Sequence, residues 1–262
     1  RKDPAASGSA IRALCDFLET SDRSPICRYT PAGADIDQVI DLRAIFQWEV
    51  RTWSRADPLW SAALRHPGGG QRRALALGER DGGLSLMLAQ HGYRTVCSDL
   101  RGPTGAAREL HGRFGLGEAV TYACVDALAI DAPAEAFDAV AFKSMLGALG
   151  TKRRQQQALG EMHRVLRPGG ILLFAENLQG AALHRALRSR FVPWSGYWRY
   201  LDAHTDMDLF AAFRKVALRS TGFLASLGRT ERQRDLLARA DGLLGPLVPK
   251  AWRTVLYGVA VK

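Results

Sequence analysis

Cysteine is scarce in this sequence: the chain of 262 residues contains four, and no two of them form a C-x-x-C pair. No cysteine is spaced from a histidine in a pattern typical of a metal site. We therefore expect no structural metal, no metal cofactor, and a reducing, cytoplasmic setting. Cys97 and Cys124 fall within predicted buried strands, where a free cysteine packs as a small hydrophobic side chain.

Long hydrophobic runs are also missing. No apolar stretch reaches the roughly 18 residues that a membrane-spanning helix needs. The basic N-terminus, RKDPAASGSA, is not followed by the apolar segment of a secretory signal. Because the sequence does not begin with Met, it is consistent with a trimmed chain or with a piece of a longer polypeptide. Apolar residues still make up 47% of the sequence, which predicts a sizeable core and argues against disorder.

Acidic residues are outnumbered, because 36 Lys and Arg against 26 Asp and Glu give a formal charge of +10. Basic residues cluster at 72–73, 152–154 and 185–190. Such clusters attract a polyanion, a phosphorylated substrate or an anionic membrane surface, or they are simply solvated. No nucleic-acid-binding motif accompanies the charge, so we expect no specific nucleic-acid partner. Peripheral contact with an anionic membrane stays open, and so does the oligomeric state.

The first 66 residues read as helical and are predicted to form an extension or lid beside a domain over residues 67–262. Residues 35–55 carry apolar side chains at mostly helical spacing. Asp57 followed by Pro58 predicts the start of another short helix. Proline and glycine at 67–70 then predict a break in the chain.

From residue 73 onward, strand-like and helix-like segments alternate, and the strand-like segments are almost continuously apolar. This pattern predicts a Rossmann-like, doubly wound α/β fold, in which helices cover both faces of a parallel sheet. Residues 178–204 interrupt the alternation with aromatic and arginine residues, and we predict a substrate-side insertion there. The predicted strands are 73–78, 94–99, 119–125, 137–143, 170–176, 215–224 and a last one within 252–262, and the predicted helices are 83–91, 104–113, 151–166, 206–213 and 230–243.

A glycine-bearing turn, ALALGERDGG, follows the first predicted strand. Gly78 sits where the strand must turn sharply, and Gly82 lies where the next helix begins with free N–H groups. Asp99 ends the second strand, about 20 residues further on, where an acid accepts hydrogen bonds from ribose hydroxyls. Ligands of open α/β sheets bind at this edge, so these residues predict a nucleoside site. The full G-x-G-x-x-G spacing of a dinucleotide site is absent, and a turn that only packs helix against strand is the alternative.

Three later segments extend this pattern. The third strand ends in YACVDALAI, the fourth reads FDAVAFKSMLG, and the fifth is preceded by VLRPGG. In this order, and together with the glycine-bearing turn, they resemble the class I S-adenosylmethionine-dependent methyltransferases over residues 73–177. The resemblance implies a seven-stranded, mostly parallel sheet with an antiparallel C-terminal hairpin, and S-adenosylmethionine as the cofactor.

The resemblance also implies which residues bind the cofactor. The first turn would approach its methionine part, the acid after the second strand its ribose, and the acid after the third its adenine. Ala76 stands where the family often has an acid, and Arg80 replaces the middle glycine, so a non-catalytic site stays an alternative. The expected cofactor-binding residues are Gly78, Arg80, Gly82, Asp99, Leu100, Asp126, Ala127, Lys143 and Trp53.

The acceptor is expected beyond the ends of the fourth and fifth strands. A hydroxyl acceptor needs a base, and Glu176, Lys143 and His184 are the candidate catalytic residues. Glu176 equally fits a loop or capping carboxylate, and His184 a partly exposed helical residue. The stretch FVPWSGYWRY predicts a stacking wall for a sugar or an aromatic acceptor, or a loop anchored on the core. The expected substrate-binding residues are Asn177, Trp194, Tyr197, Trp198 and Arg199.

The overall layout is similar to methyltransferases associated with bacterial surface-glycan or natural-product synthesis. It implies transfer of a methyl group from S-adenosylmethionine to a hydroxyl of a saccharide or glycoconjugate. Methylation of oxygen or nitrogen on a small natural product is the first alternative. A non-catalytic module that binds the cofactor or a partner protein is the second.

Overall fold

The structure is a computed structural model that describes residues 42–65 and 71–262. Its strands are β1 (Arg72–Leu77), β2 (Tyr93–Asp99), β3 (Val120–Cys124), β4 (Phe137–Lys143), β5 (Leu166–Asn177), β6 (Lys215–Thr221) and β7 (Val255–Val261). They form one sheet in the order β3-β2-β1-β4-β5-β7-β6. Strands β1 to β5 are parallel, and β7 runs antiparallel to both β5 and β6. The predicted fold is therefore confirmed.

Helices cover both faces of this sheet. Within the described residues, three short helices precede the sheet, three lie in the crossovers between parallel strands, and two lie in the C-terminal third. They are α1 (Leu42–Phe46), α2 (Val50–Trp53), α3 (Asp57–Leu64), α4 (Gly83–Gln90), α5 (Gly105–Arg113), α6 (Lys152–Val165), α7 (Ala182–Phe191) and α8 (Glu231–Leu244).

Burial on both faces explains why the central strands are continuously apolar. Along β4, Ala139 and Ala141 belong to the core under α3, which also contains Trp60. The alternate residues Val140 and Phe142 belong to the core under α6 on the opposite face. Because successive side chains of a strand point to opposite faces, each of the four residues from Ala139 to Phe142 meets a core.

The N-terminal helices dock on the sheet through Trp60. Its indole is fully buried, stacks on Phe46 and donates a hydrogen bond from Nε1 to the Gly258 carbonyl of β7 at 3.0 Å. Pro58 stands in the first turn of α3, as the sequence predicts. The predicted helix over 35–55 is instead divided in its described part, because Gln47 and Glu49 have φ of 65° and 45°.

Four other details differ from the sequence-based prediction. Strand β5 begins at Leu166, so all of the VLRPGG segment after its first residue lies in the strand. The helix expected over 206–213 is a single 3-10 turn at Met207–Phe210, whereas the insertion at 178–204 contains α7. Cys124 is exposed at the end of β3, whereas Cys97 is buried as predicted.

The remaining predictions for the N-terminal part lie outside the described residues, namely the chain break at 67–70 and any helix before residue 42. Within residues 42–65 and 71–262, no helix is long and apolar enough to cross a membrane.

Candidate active site

A cavity of about 880 Å³ opens at the C-terminal edge of the sheet. The turn after β1 and the ends of β2, β3, β4 and β5 contribute to it, together with α2 and the segment that follows β5. The fold therefore brings together residues that the sequence predicts as one site. The predicted cofactor-binding residues on its wall are Gly78, Arg80, Asp99, Leu100, Asp126, Ala127, Lys143 and Trp53.

The turn after β1 is shaped by its glycines. Gly78 and Gly82 have φ of 63° and 81°, a left-handed conformation that costs other residues about 1–2 kcal/mol. Gly82 does not line the cavity. It is the N-cap of α4, and a Cβ there would lie 2.8 Å from His111 Cε1. Its part in the site is to let the turn close tightly against α5.

Glu79 places a carboxyl group at the start of α4. Both of its oxygens lie 2.8 Å from the Ser85 backbone N–H, which donates to them. Burial raises the pKa of Glu79 to about 7, although the bonds from Ser85 favour the ionised form. The residue lines the cavity beside Arg80. An acid is thus present in this turn, three positions after Ala76.

The acids that follow β2 and β3 are held by their own backbone. The Arg101 N–H donates to Asp99 Oδ1 at 3.3 Å, and the Leu128 N–H donates to Asp126 Oδ1 at 2.9 Å. Both residues line the cavity at neighbouring strand ends. Two oriented carboxylates at this edge can accept hydrogen bonds from hydroxyl and amino groups of one ligand.

Lys143 ends β4 and is the most unusual residue of the site. It is 6% exposed, and Nζ has no hydrogen-bond partner among the described residues. Nζ lies 2.8 Å from the centre of the Trp48 ring and 5.0 Å from that of Trp53. Burial lowers the pKa of Lys143 well below its usual value, against the opposing effect of Glu49 and two other carboxylates. A neutral amine facing the cavity can accept a proton.

The segment between α1 and α2 closes one side of the cavity. Trp48 lies between two residues of positive φ, Gln47 and Glu49. The Glu49 carboxylate is 3.5 Å from Arg234 Nε, and its backbone N–H donates to Glu231 Oε2 at 3.0 Å. These contacts with α8 hold the backbone of the segment in place and keep the Trp48 indole over Lys143.

The wall formed by the end of β5 and the segment after it is aromatic and basic. Of the predicted substrate-binding residues, Asn177, Trp194 and Trp198 line the cavity. Asn177 Nδ2 donates to Ser144 Oγ at 2.7 Å, which fixes its side chain at the end of β5. Tyr200, the last aromatic residue of the predicted stacking wall, also lines the cavity.

Two predicted catalytic residues are not in position to act. Glu176 is fully buried and does not line the cavity, because its carboxylate accepts hydrogen bonds from the backbone N–H groups of Met145, Leu146 and Asn177. His184 is 2% exposed. Its Nδ1 accepts from the Ala181 N–H, and Nε2 donates to the Phe223 carbonyl. Both residues hold the backbone around β5 and α7, and neither has an atom free for an acceptor.

Two predicted substrate-binding residues also lie elsewhere. Tyr197 is 62% exposed and does not line the cavity. Arg199 donates to Gln155 Oε1 at 2.5 Å and to Asp206 Oδ1 at 2.7 Å, so its guanidinium ties the loop after α7 to α6. These contacts are structural, and they fix the position of Trp198 next to Arg199.

Three residues that line the cavity, Glu79, Trp48 and Arg188, were not predicted from the sequence as parts of the site. Glu79 carried a weak signal, since it stands inside the glycine-bearing turn. No sequence signal marked Trp48. The left-handed backbone on either side of it is usually signalled by glycine, and the two residues here are Gln47 and Glu49. Arg188 was counted only as surface charge, although its spacing of four from His184 places both on one face of a helix.

This chain is similar to a known protein family and to several solved structures. Residues 75–174 match the family described as "Methyltransferase domain". Phosphoethanolamine N-methyltransferase 2 of Haemonchus contortus, solved with S-adenosyl-L-methionine, is 16% identical with a TM-score of 0.57, and the match covers 95% of this chain and 60% of that one. The [4+2]-cyclase SpnF is 20% identical with a TM-score of 0.53, covering 97% of this chain and 93% of that one.

A shorter similarity joins this chain to 3-hydroxybenzoate 4-monooxygenase of Comamonas testosteroni, with 52% identity over 46 residues. That match covers 18% of this chain and 7% of the monooxygenase. The chain thus spans 60% of the length of the N-methyltransferase and 7% of that of the monooxygenase. At 16% and 20% identity, the structural matches show the fold alone.

Within the described part of the chain, no group of three or more His, Cys, Asp or Glu residues is arranged to hold a metal ion. This chain therefore shares its fold with an N-methyltransferase solved with S-adenosyl-L-methionine, and its residues 75–174 match the methyltransferase-domain family.

Proposed function

We propose that this protein transfers a methyl group from S-adenosylmethionine to a hydroxyl of a saccharide or glycoconjugate. The observation that carries the proposal is a single cavity with two unlike halves. One half has carboxylates at the ends of β2 and β3, and the other has an aromatic, basic wall after β5. Lys143 lies between the two halves.

The residues of the first half fit the cofactor. Asp99 and Asp126 are acceptors for ribose hydroxyls and for the adenine amino group. Glu79 would supply a carboxylate for the amino group of the cofactor's methionine part. Ala76, which stands where the family often has an acid, has no side chain that could do so. Trp53 Nε1 is buried without a hydrogen-bond partner among the described residues, so it offers a donor to an oxygen of the cofactor. When bound, S-adenosylmethionine supplies an electrophilic methyl group on a sulfonium.

Lys143 would act as the general base. As the acceptor oxygen forms its bond to the methyl carbon and the carbon–sulfur bond breaks, the hydroxyl proton passes to Lys143 Nζ. Burial keeps this amine unprotonated at a lower pH than an exposed lysine requires. Trp48 and Trp53 exclude water from the amine on one side, and the rest of the catalysis is alignment of the two reactants.

A small natural product with an oxygen or nitrogen acceptor is the second candidate. Trp194, Trp198 and Tyr200 favour it as much as a sugar, because an aromatic wall stacks against either. The third candidate, a module that binds the cofactor without catalysis, rests on Arg80 in place of glycine. Arg80 is largely exposed and pairs with Asp81 at 3.6 Å, which leaves the turn open to a ligand.

The proposal is tested by incubating the protein with S-adenosylmethionine that carries a labelled methyl group and with panels of acceptors. The panels contain free sugars, glycosides, phenols and small amines. We expect label on a hydroxyl of the sugars or glycosides. Label on phenols or amines alone would favour the second candidate, and cofactor binding with no transfer to any panel would favour the third.

A further inference from the structure

Arg188 presents an unpaired guanidinium to the acceptor side of the cavity. Its Nη1 donates to the Leu178 and Gln179 carbonyls at 2.8 and 2.9 Å, which anchors the side chain. The guanidinium carbon lies 4.2 Å from the centre of the Tyr200 ring. Its other nitrogens make no hydrogen bond to residues 42–65 or 71–262, and no carboxylate there lies within ion-pair distance of them.

The acidic groups that act on Arg188 are the Tyr200 phenol and the Glu49 carboxylate, and the latter forms its own contact with Arg234 at 3.5 Å. Burial lowers the pKa of Arg188, which is the sign of a cation held away from water. A partly buried guanidinium with free N–H groups is stable when an oxyanion completes its hydrogen bonds.

Trp198 supplies a second donor on the same wall. Its Nε1 is buried and has no hydrogen-bond partner among the described residues. The indole packs directly on the backbone of Gly147, where no side chain would fit, so its orientation is fixed. The centres of the Trp198 and Tyr200 rings are 6.4 Å apart, and the Arg188 guanidinium packs over the Tyr200 ring. Both donors, the Arg188 guanidinium and the Trp198 indole N–H, therefore belong to side chains that lie beside the Tyr200 ring.

We propose that Arg188 and the indole N–H of Trp198 bind an oxyanion of the acceptor, a carboxylate or a phosphate, so that the enzyme acts on acidic sugars or other acidic acceptors. This inference rests on the proposed function and names its substrate class. Both donors follow β5, and the sheet order places β4, which ends in Lys143, between β5 and the strands that end near Asp99 and Asp126.

The test measures binding to protein saturated with S-adenosylhomocysteine, in about 0.1 M salt because exposed ion pairs are screened. Glucuronate, glucose 6-phosphate and the neutral control glucuronamide are titrated by calorimetry. We expect at least one acid to bind ten times more tightly than the amide. Tighter binding of glucuronate would indicate that the acceptor carries a carboxylate. Tighter binding of glucose 6-phosphate would indicate that it carries a phosphate. Equal affinity for all three, or no binding of any, would overturn the inference.

Variants assign the preference to the two donors. Arg188→Gln and Trp198→Phe should each reduce the preference for the acid to below threefold. Arg190→Gln, an exposed arginine on the same helix that does not line the cavity, should leave it unchanged. An undiminished preference in Arg188→Gln contradicts the inference. Loss of S-adenosylhomocysteine binding by the wild type, measured first, would instead contradict the proposed function.

Discussion

Lys143 Nζ lies 2.8 Å from the centre of the Trp48 ring, and this contact joins the end of β4 to the N-terminal helical segment. An aromatic ring attracts an ammonium but accepts no hydrogen bond as strong as those of water. The amine is therefore stripped of water without receiving a carboxylate partner. This contact links the proposed chemistry to the segment that closes the cavity.

Replacing Lys143 with Met should abolish methyl transfer while preserving cofactor binding. We expect the transfer rate to fall by roughly 10²–10⁴-fold, the usual contribution of a general base. The dissociation constant for S-adenosylhomocysteine should change less than threefold. In the wild type the rate should rise with pH as the amine loses its proton, and level off well below pH 10.5. An unchanged rate in Lys143→Met would remove Lys143 as the base.

Replacing Trp48 with Ala should shift this pH profile. Water then reaches Lys143, its pKa rises toward the usual lysine value, and more alkaline solution is needed for the neutral amine. At pH 7 the variant should be slower than the wild type, with the difference shrinking as the pH rises. Trp252→Ala is the control, since Trp252 is half exposed and stacks on Phe223 away from the cavity. A profile that does not move would show that Trp48 leaves the amine unaffected.

Glu79 should make stability depend on pH. Its pKa is about 7 in the folded protein and 4.5 in the reference state, so the folded state binds the proton more tightly. The stabilising contribution is complete below pH 4.5 and is lost as the pH rises through about 7. We expect the free energy of unfolding of the wild type to fall by on the order of 3 kcal/mol relative to Glu79→Gln across this window.

Denaturant unfolding at pH 5 and pH 8 measures this difference in ligand-free protein. Glu109→Gln, at an exposed position on α5, is the matched control and should follow the wild type. A Glu79→Gln variant that also follows the wild type at both pH values would refute the assignment.

Gly82 should tolerate no side chain. Alanine there takes a left-handed conformation and places Cβ 2.9 Å from the Ala107 Cβ. We expect Gly82→Ala to lose at least about 1–2 kcal/mol of unfolding free energy. Gly160→Ala is the control: it lies on the exposed face of α6 with no atom near the new Cβ. That substitution should gain up to about 1 kcal/mol from helix propensity. Equal effects in both variants would contradict the role of the turn.

The sheet, and the position of Asp99 and Asp126 at one edge of it, were predictable from sequence. Strand residues such as those of β4 are apolar because both faces are covered, and parallel strands end at one edge. Asp99 and Asp126 are therefore placed at the same edge of the sheet, because both follow parallel strands. This part of the prediction depends only on local pattern and on chain topology.

The acceptor half was predicted less well, because its chemistry depends on long-range hydrogen bonds. Glu176 looks like a base in the sequence, but its oxygens are taken by N–H groups of Met145 and Leu146, about 30 residues earlier. Arg199 is likewise engaged by Asp206. Nothing in the sequence distinguishes these engaged groups from Arg188, whose N–H groups remain free.

The most direct test of the central claim is calorimetric titration of S-adenosylmethionine and S-adenosylhomocysteine into the wild type, Asp99→Ala and Asp131→Ala. Asp131 is exposed and does not line the cavity, so it serves as the matched control. We predict micromolar binding that Asp99→Ala weakens by more than about tenfold, roughly 1.4 kcal/mol, and that Asp131→Ala leaves unchanged. Folded wild-type protein that binds neither compound, or equal binding by all three proteins, would contradict a nucleoside site at the end of β2.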